Sequence, residues 1–218
     1  MMISPEGYYE EYLKGKTASQ IISEIRSLKR KITHLKSVVE HPDYQPSIHP
    51  DESTRIWCDR LYLERAKQAL TELGEEYIPT KAEQKAILFD ESIPEIRSMT
   101  LEIGGFLQGH VIYTLSVCEG NVVQSVEDYA FSSFEETADG SNLEYTTEEF
   151  FEAVRDLHLG EWRKTFTTER FGIVVLDGTQ WSMKIDYGGK LKPIVFEGDN
   201  AFPYNFEQVK ALFGVSDR

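Results

Sequence analysis

The chemistry open to this 218-residue chain is limited first by its two cysteines, five histidines and 37 acids, and by how they are spaced. His41, His49 and Cys58 fall near Asp43 and Asp51, the one stretch that gathers metal-ligating types. Their spacing matches no zinc motif, and both histidines sit in a proline-containing loop, where imidazole is commonly a solvated turn residue. No CxxC pair exists, which excludes a zinc ribbon or a thioredoxin-like site. Cys58 and Cys118 lie far apart, and two thiols in a chain of this length fit a reducing compartment. General acid–base hydrolysis needs two carboxylates opposed across a cleft, and nothing in the sequence selects such a pair. GxSxG, P-loop, GxGxxG and HExxH patterns are absent. Gly104-Gly105 follows a strand-like run but lacks the third glycine and the helix of a phosphate-binding turn. The sequence therefore assigns no catalytic residue, no metal ligand and no cofactor.

The charge is more informative. A net charge of −14 conceals two opposite regions. Residues 14–36 hold seven bases against one acid, whereas residues 90–156 hold fifteen acids against two bases. Such asymmetry marks partner binding or attraction between the two halves of the chain. Arg26, Lys29, Arg30 and Lys31 form the basic candidate surface and could track a phosphate backbone. An overall pI near 4.8 argues against nucleic acid, because the acidic half would repel it. The N-terminus carries acids and tyrosines where a secretory signal would carry a basic start and an apolar core. The apolar strand-like run 173–176 falls far short of the roughly 20 residues of a membrane helix. The expected setting is cytoplasmic, with no membrane contact.

The elements that must position these charges begin with helices. Ser4-Pro5 reads as an N-cap followed by a first-turn proline, and Tyr8, Tyr9, Tyr12 and Leu13 form one face of a short helix. Thr17 and Gln20 match a capping box. The helix that follows repeats Ile21, Ile25, Leu28, Ile32, Leu35 and Val39 at alternating spacings of four and three, a heptad seam. Taken alone this seam favours a parallel dimer. Lys29, Lys31 and Lys36 at its flanks would set lysine against lysine in a homodimer, so an acid-flanked partner suits it better. The second helix, capped by Ser53 and ended near Gly74, offers Asp59, Glu64 and Glu72. An antiparallel hairpin is expected, its second helix apolar on two sides through Trp57 and Leu61.

After a short helix opened by Thr80 and running to about Phe89, with Pro94 ending helical character, the period changes from that of a helix to that of strands. Strands are expected near 96–103, 111–118 and 122–131, then an acidic loop over 131–144 and a helix with Phe150, Val154 and Leu157. Strands at 170–176, 179–187 and 191–197 and a helix from about Tyr204 follow, with turns at Asp177-Gly178 and Gly188-Gly189. The fold class is α+β: an antiparallel helical hairpin (1–76), a linker helix (77–94), and an antiparallel sheet domain (95–218) in βββα-βββα order. That order fits a degenerate duplication or one sheet with helices on one side.

Near the C-terminus, Gly198, Asn200, Phe202, Pro203, Asn205 and Phe206 spell G-x-N-x-(aromatic)-P-x-N-(aromatic) after a strand, glycine turn and strand. This segment resembles the ends of proteins in a family from Gram-positive gut bacteria to which no activity is assigned. The resemblance implies a fold and a cytoplasmic setting, and no chemistry. Asp199, Asn200 and Tyr204 are its candidate contact residues for a small ligand or peptide. The leading expectation is a non-enzymatic protein-interaction or regulatory protein, immunity-like in form, whose acidic surface meets another protein. A ligand binder or enzyme with a cleft between hairpin and sheet, and a nucleic-acid binder through the first long helix, are the alternatives.

Overall fold

Ser4 accepts a hydrogen bond from the Gly7 amide at 3.0 Å and starts α1 (Pro5–Tyr8) in the computed structural model, which describes residues 2–47, 49–105, 109–129, 145–175 and 177–215. The chain divides into two units, residues 1–80 and 81–218. In the first, α1 runs into a π-helical turn (Tyr9–Leu13), then α2 (Ala18–Val39) and α3 (Glu52–Glu72). The Thr17 amide donates to Gln20 Oε1 at 2.9 Å, closing the capping box. Asp51, not Ser53, caps α3, accepting from the Thr54 amide at 2.7 Å. A carboxylate satisfies an N-terminal amide and the helix dipole together, so it displaces the nearby hydroxyl.

Ile21, Ile25, Leu28, Ile32 and Leu35 are buried along α2, and the first three pack with Cys58, Tyr62, Ala66, Ala69 and Leu70 of α3. All of the heptad seam but Val39 is thus buried. Tyr8 stacks on Tyr62 with ring centres 4.3 Å apart, and the Arg65 guanidinium lies 4.0 Å over Tyr9. Tyr8 and Tyr9 are therefore packing surface, whereas Tyr12 is exposed. Trp57 is exposed.

The second unit opens with α4 (Lys81–Ser92) and a 3₁₀ turn (Ile93–Glu95) holding Pro94. Phe89, Ile93 and Ile96 enter the core of this unit, so the segment expected as a linker helix is built into the sheet domain's core. Then come β1 (Ser98–Gly105), β2 (Gly109–Cys118), β3 (Asn121–Asp128), β4 (Tyr145–Thr146), α5 (Thr147–Asp156), β5 (Thr165–Thr167), β6 (Thr179–Asp186), β7 (Ile194–Asp199) and α6 (Phe206–Leu212). The fold is α+β. The acidic loop expected over 131–144 lies outside the described residues.

One seven-stranded sheet has the order β4-β3-β2-β1-β6-β7-β5. All pairs are antiparallel except β5 with β7, which are parallel, so the sheet is mixed and not wholly antiparallel. The strand expected at 170–176 is instead a 3₁₀ turn (Thr168–Phe171) followed by Gly172 at φ 74°, and Val174 is 74% exposed. Both edges of β6 are taken by β1 and β7, and residues 165–167 take the outer edge of β7, so this apolar run pairs with neither strand.

Strand alternation puts Met99, Leu101, Tyr113, Leu115, Met183 and Phe196 in one core with Phe150 and Val154 of α5 and Phe206, Val209 and Leu212 of α6. The opposite face carries polar side chains that stay half-buried or exposed.

Candidate functional site

In the hairpin, Lys31 Nζ donates to Asp59 Oδ1 at 2.7 Å, with the lysine side chain 50% exposed and the aspartate 2%. Asp59 Oδ2 is buried with no hydrogen-bond partner. A pocket of about 490 Å³ lies here, lined by Lys31, Arg55, Cys58, Asp59 and Tyr62 among others. Burial pushes the Cys58 thiol up, helped by the neighbouring Asp59 charge, which makes it a poor nucleophile. Lys29 Nζ donates to Tyr77 OH at 3.1 Å. Arg26 and Arg30 are exposed. Two of the four predicted basic residues are therefore drawn into contacts inside the hairpin unit.

The turn into α3 carries its own acid–base pair. Tyr44 OH donates to Glu52 Oε2 at 2.8 Å, and the Ser47 amide approaches the same oxygen at 3.3 Å. The Tyr44 hydroxyl bond holds the Glu52 carboxyl down to about 2, while burial and that bond push Tyr44 up to about 12. A carboxyl depressed on folding stabilises above its unfolded value, about 4.3, and that stability is lost as pH falls toward 2. The raised tyrosine acts at the other end: its contribution is present below about 10 and lost as pH rises toward 12. Tyr44→Phe should therefore destabilise the hairpin across neutral pH, with the gap to wild type closing below pH ~4. Acid titration of the helical circular dichroism signal checks this, and a gap that stays constant down to pH ~2 contradicts it.

In the second unit, sheet register gathers a row of polar side chains. Glu102 pairs with Ser182, Ser182 with Glu197, and Glu197 with Thr165. The adjacent row runs His110, Gly104, Gln180, Asp199 and Thr167. All of these but Gly104 line a cleft of about 350 Å³ with Trp181 and Gly198. Three carboxylates face it from two strands, Glu102 from β1 and Glu197 and Asp199 from β7. His110 Nδ1 stands 3.2 Å from Glu102 Oε1, off the line a hydrogen bond needs. Glu197 Oε1 takes only a long contact from Thr165 Oγ1 at 3.5 Å, and Asp199 Oδ1 accepts from Asn200 Nδ2 at 2.7 Å. Among the described residues no lysine or arginine pairs with Glu102, Glu197 or Asp199.

The predicted trio Asp199, Asn200 and Tyr204 separates on this frame. Asp199 faces the cleft. Asn200, at φ 50°, turns inward: its Oδ1 accepts from the Thr179 amide at 2.9 Å and its own amide donates to Thr179 O at 2.9 Å. Tyr204 lies on the segment between β7 and α6, half-buried. The rest of the G-x-N motif is structural. A Cβ on Gly198 would fall 2.2 Å from Trp181 Nε1, and that nitrogen donates to Ala201 O at 2.9 Å. Asn205 is buried, with Oδ1 accepting from Trp162 Nε1 at 3.1 Å and Nδ2 donating to Leu157 O at 2.7 Å.

Sequence reasoning missed Glu102, Glu197 and His110. His110 meets Glu102 through the β1–β2 pair, whereas Glu102 and Glu197 become neighbours only through the β1–β6–β7 order, which no local pattern encodes. Among the described residues no group of three His, Cys, Asp or Glu side chains could hold a metal ion, and no helix is long and apolar enough to cross a membrane. No family model matches the chain, and no curated protein or solved structure matches it either.

Proposed function

We propose that this chain is a non-enzymatic interaction protein whose acidic sheet face receives a basic polypeptide, in the manner of a protein that neutralises or regulates a basic effector. The observation that supports this most is the trio Glu102, Glu197 and Asp199, which share one cleft without a lysine or arginine partner among the described residues. Residues 81–218 carry 24 acids against 12 bases, so the surrounding field has the same sign as the cleft. Glu102 and Glu197 are separated by one strand, a spacing of about 10 Å between backbones, which leaves room for a separate cation on each. Ser182, Gln180, Thr165 and Thr167 between them supply hydroxyl and amide groups for a bound main chain. Such surfaces govern on-rate and partner choice more than raw affinity.

Charge-matched variants test the reading. Glu102→Gln, Glu197→Gln and Asp199→Asn combined should weaken binding of a decaarginine peptide about tenfold at moderate salt, from three ion pairs worth about 0.5 kcal/mol each. Glu148→Gln, Glu152→Gln and Glu169→Gln, all exposed, change the net charge equally and should have little effect. Equal losses in the two triple variants would reduce the cleft to one acidic patch among many and sink the proposal.

A further inference from the structure

On the helix-covered side of the second unit, a pocket of about 250 Å³ combines apolar walls with a cationic rim. Phe89, Leu159, Ile194 and Phe196 line it, with the Tyr187 hydroxyl against Ser92. Ser92 Oγ donates to Phe89 O at 2.7 Å, so Tyr187 must supply the proton for the 3.1 Å contact between the two hydroxyls. That leaves the Tyr187 oxygen as an acceptor and gives the wall one polar spot. Leu88 and Leu191, 65% and 45% exposed, extend the apolar lining outward.

Lys85, Lys164 and Lys192 complete the lining, from α4, from the segment before β5 and from the segment before β7. None of the three has an ion-pair partner among the described residues. Lys164 Nζ lies 5.0 Å over the Phe196 ring instead of beside a carboxylate. Partial desolvation against the pocket wall pushes the Lys164 ammonium down, and the like charge of Lys85 adds to the effect. Three unpaired cations around one apolar pocket run against the grain of a unit with twice as many acids as bases.

We infer that this pocket binds a small organic monoanion with an apolar body, such as a medium-chain carboxylate, its tail on Leu159, Ile194 and Phe196 and its carboxylate between Lys85, Lys164 and Lys192. The carboxylate relieves the repulsion between Lys85 and Lys164, and charge-assisted hydrogen bonds to it are stronger than neutral ones. The tail is withdrawn from water, the larger share of affinity for a ligand of this kind. A nucleotide base and ribose fit poorly, because polar groups other than the lysines are confined to the Ser92–Tyr187 pair. The site is separate from the acidic cleft and stands whether or not that cleft binds a polypeptide.

Calorimetry with octanoate, octanol and octylamine on the full chain tests it. Octanoate should bind saturably, and octylamine should not. Lys85→Gln, Lys164→Gln and Lys192→Gln together should weaken octanoate at least tenfold while changing octanol less than about twofold. The three side chains are solvent-exposed at the pocket mouth, so the variant keeps its fold, which circular dichroism verifies. Leu88→Ser with Leu191→Ser should weaken both octanoate and octanol. No saturable octanoate binding, octylamine binding as tight as octanoate, or an equal loss of octanoate and octanol in the lysine variant would each overturn the inference.

Discussion

Lys31→Met should destabilise the hairpin by about 2–3 kcal/mol, whereas Asp59→Leu should cost little and the double variant should sit close to wild type. The asymmetry follows from where the two charges lie. Asp59 is 2% exposed and has only the Lys31 ammonium at 2.7 Å to offset its desolvation, with Oδ2 unpartnered. Removing that ammonium strands an ionised carboxylate between α2 and α3. Breaking a fully buried pair costs about 3–5 kcal/mol, and the half-exposed lysine brings the figure down. In the reverse case Lys31 returns to water at almost no cost, and the introduced leucine side chain adds apolar surface to an interface already built from Ile25, Leu28 and Tyr62. Urea unfolding followed by far-UV circular dichroism reads the hairpin. Equal costs for the two single variants would mean that Asp59 is solvated and that the lysine-flanked seam of α2 is not satisfied through this pair.

That seam shows what the sequence carries and what it leaves out. Spacing and caps place the starts of α2 and α5 within a residue, because helix caps and apolar periodicity are local properties. The same local logic places the β2–β3 turn, where Glu119 and Gly120 both take positive φ. It fails at 170–176, whose apolar composition reads as a strand, because strand formation depends on which edge the chain meets, and the edges of β6 are taken by β1 and β7. The acidic cleft is illegible for a related reason. Glu102 and Glu197 are 95 positions apart, and only the pairing of β1 with β6 and of β6 with β7 places them on either side of Ser182. The three pocket lysines come from three separate elements and share no motif. Local chemistry writes the elements, whereas the sites are products of their order in the sheet.

The C-terminal G-x-N motif separates these two kinds of information, and Asn205→Leu is the substitution that tests it. Asn205 joins two buried groups, the Trp162 indole N–H and the Leu157 carbonyl, which belong to the segment after α5, to the start of α6. Leucine matches the volume but leaves both groups inside the core without partners. Each orphaned group costs about 1–3 kcal/mol, so the expected loss is about 3–5 kcal/mol for the sheet unit. Asn205→Asp keeps the acceptor for Trp162 but sets a carboxylate against the Leu157 carbonyl, so it should be at least as damaging. Asp199→Ala, on the exposed side of the same segment, should stay within about 0.5 kcal/mol. Tryptophan fluorescence during urea unfolding in a Trp57→Phe background reads this unit alone, since Trp162 and Trp181 both lie in its core. A motif devoted to ligand contact would give the opposite ranking, with Asn205→Leu nearly silent in stability. A loss under about 1 kcal/mol would therefore show that Asn205 does not join the two segments energetically.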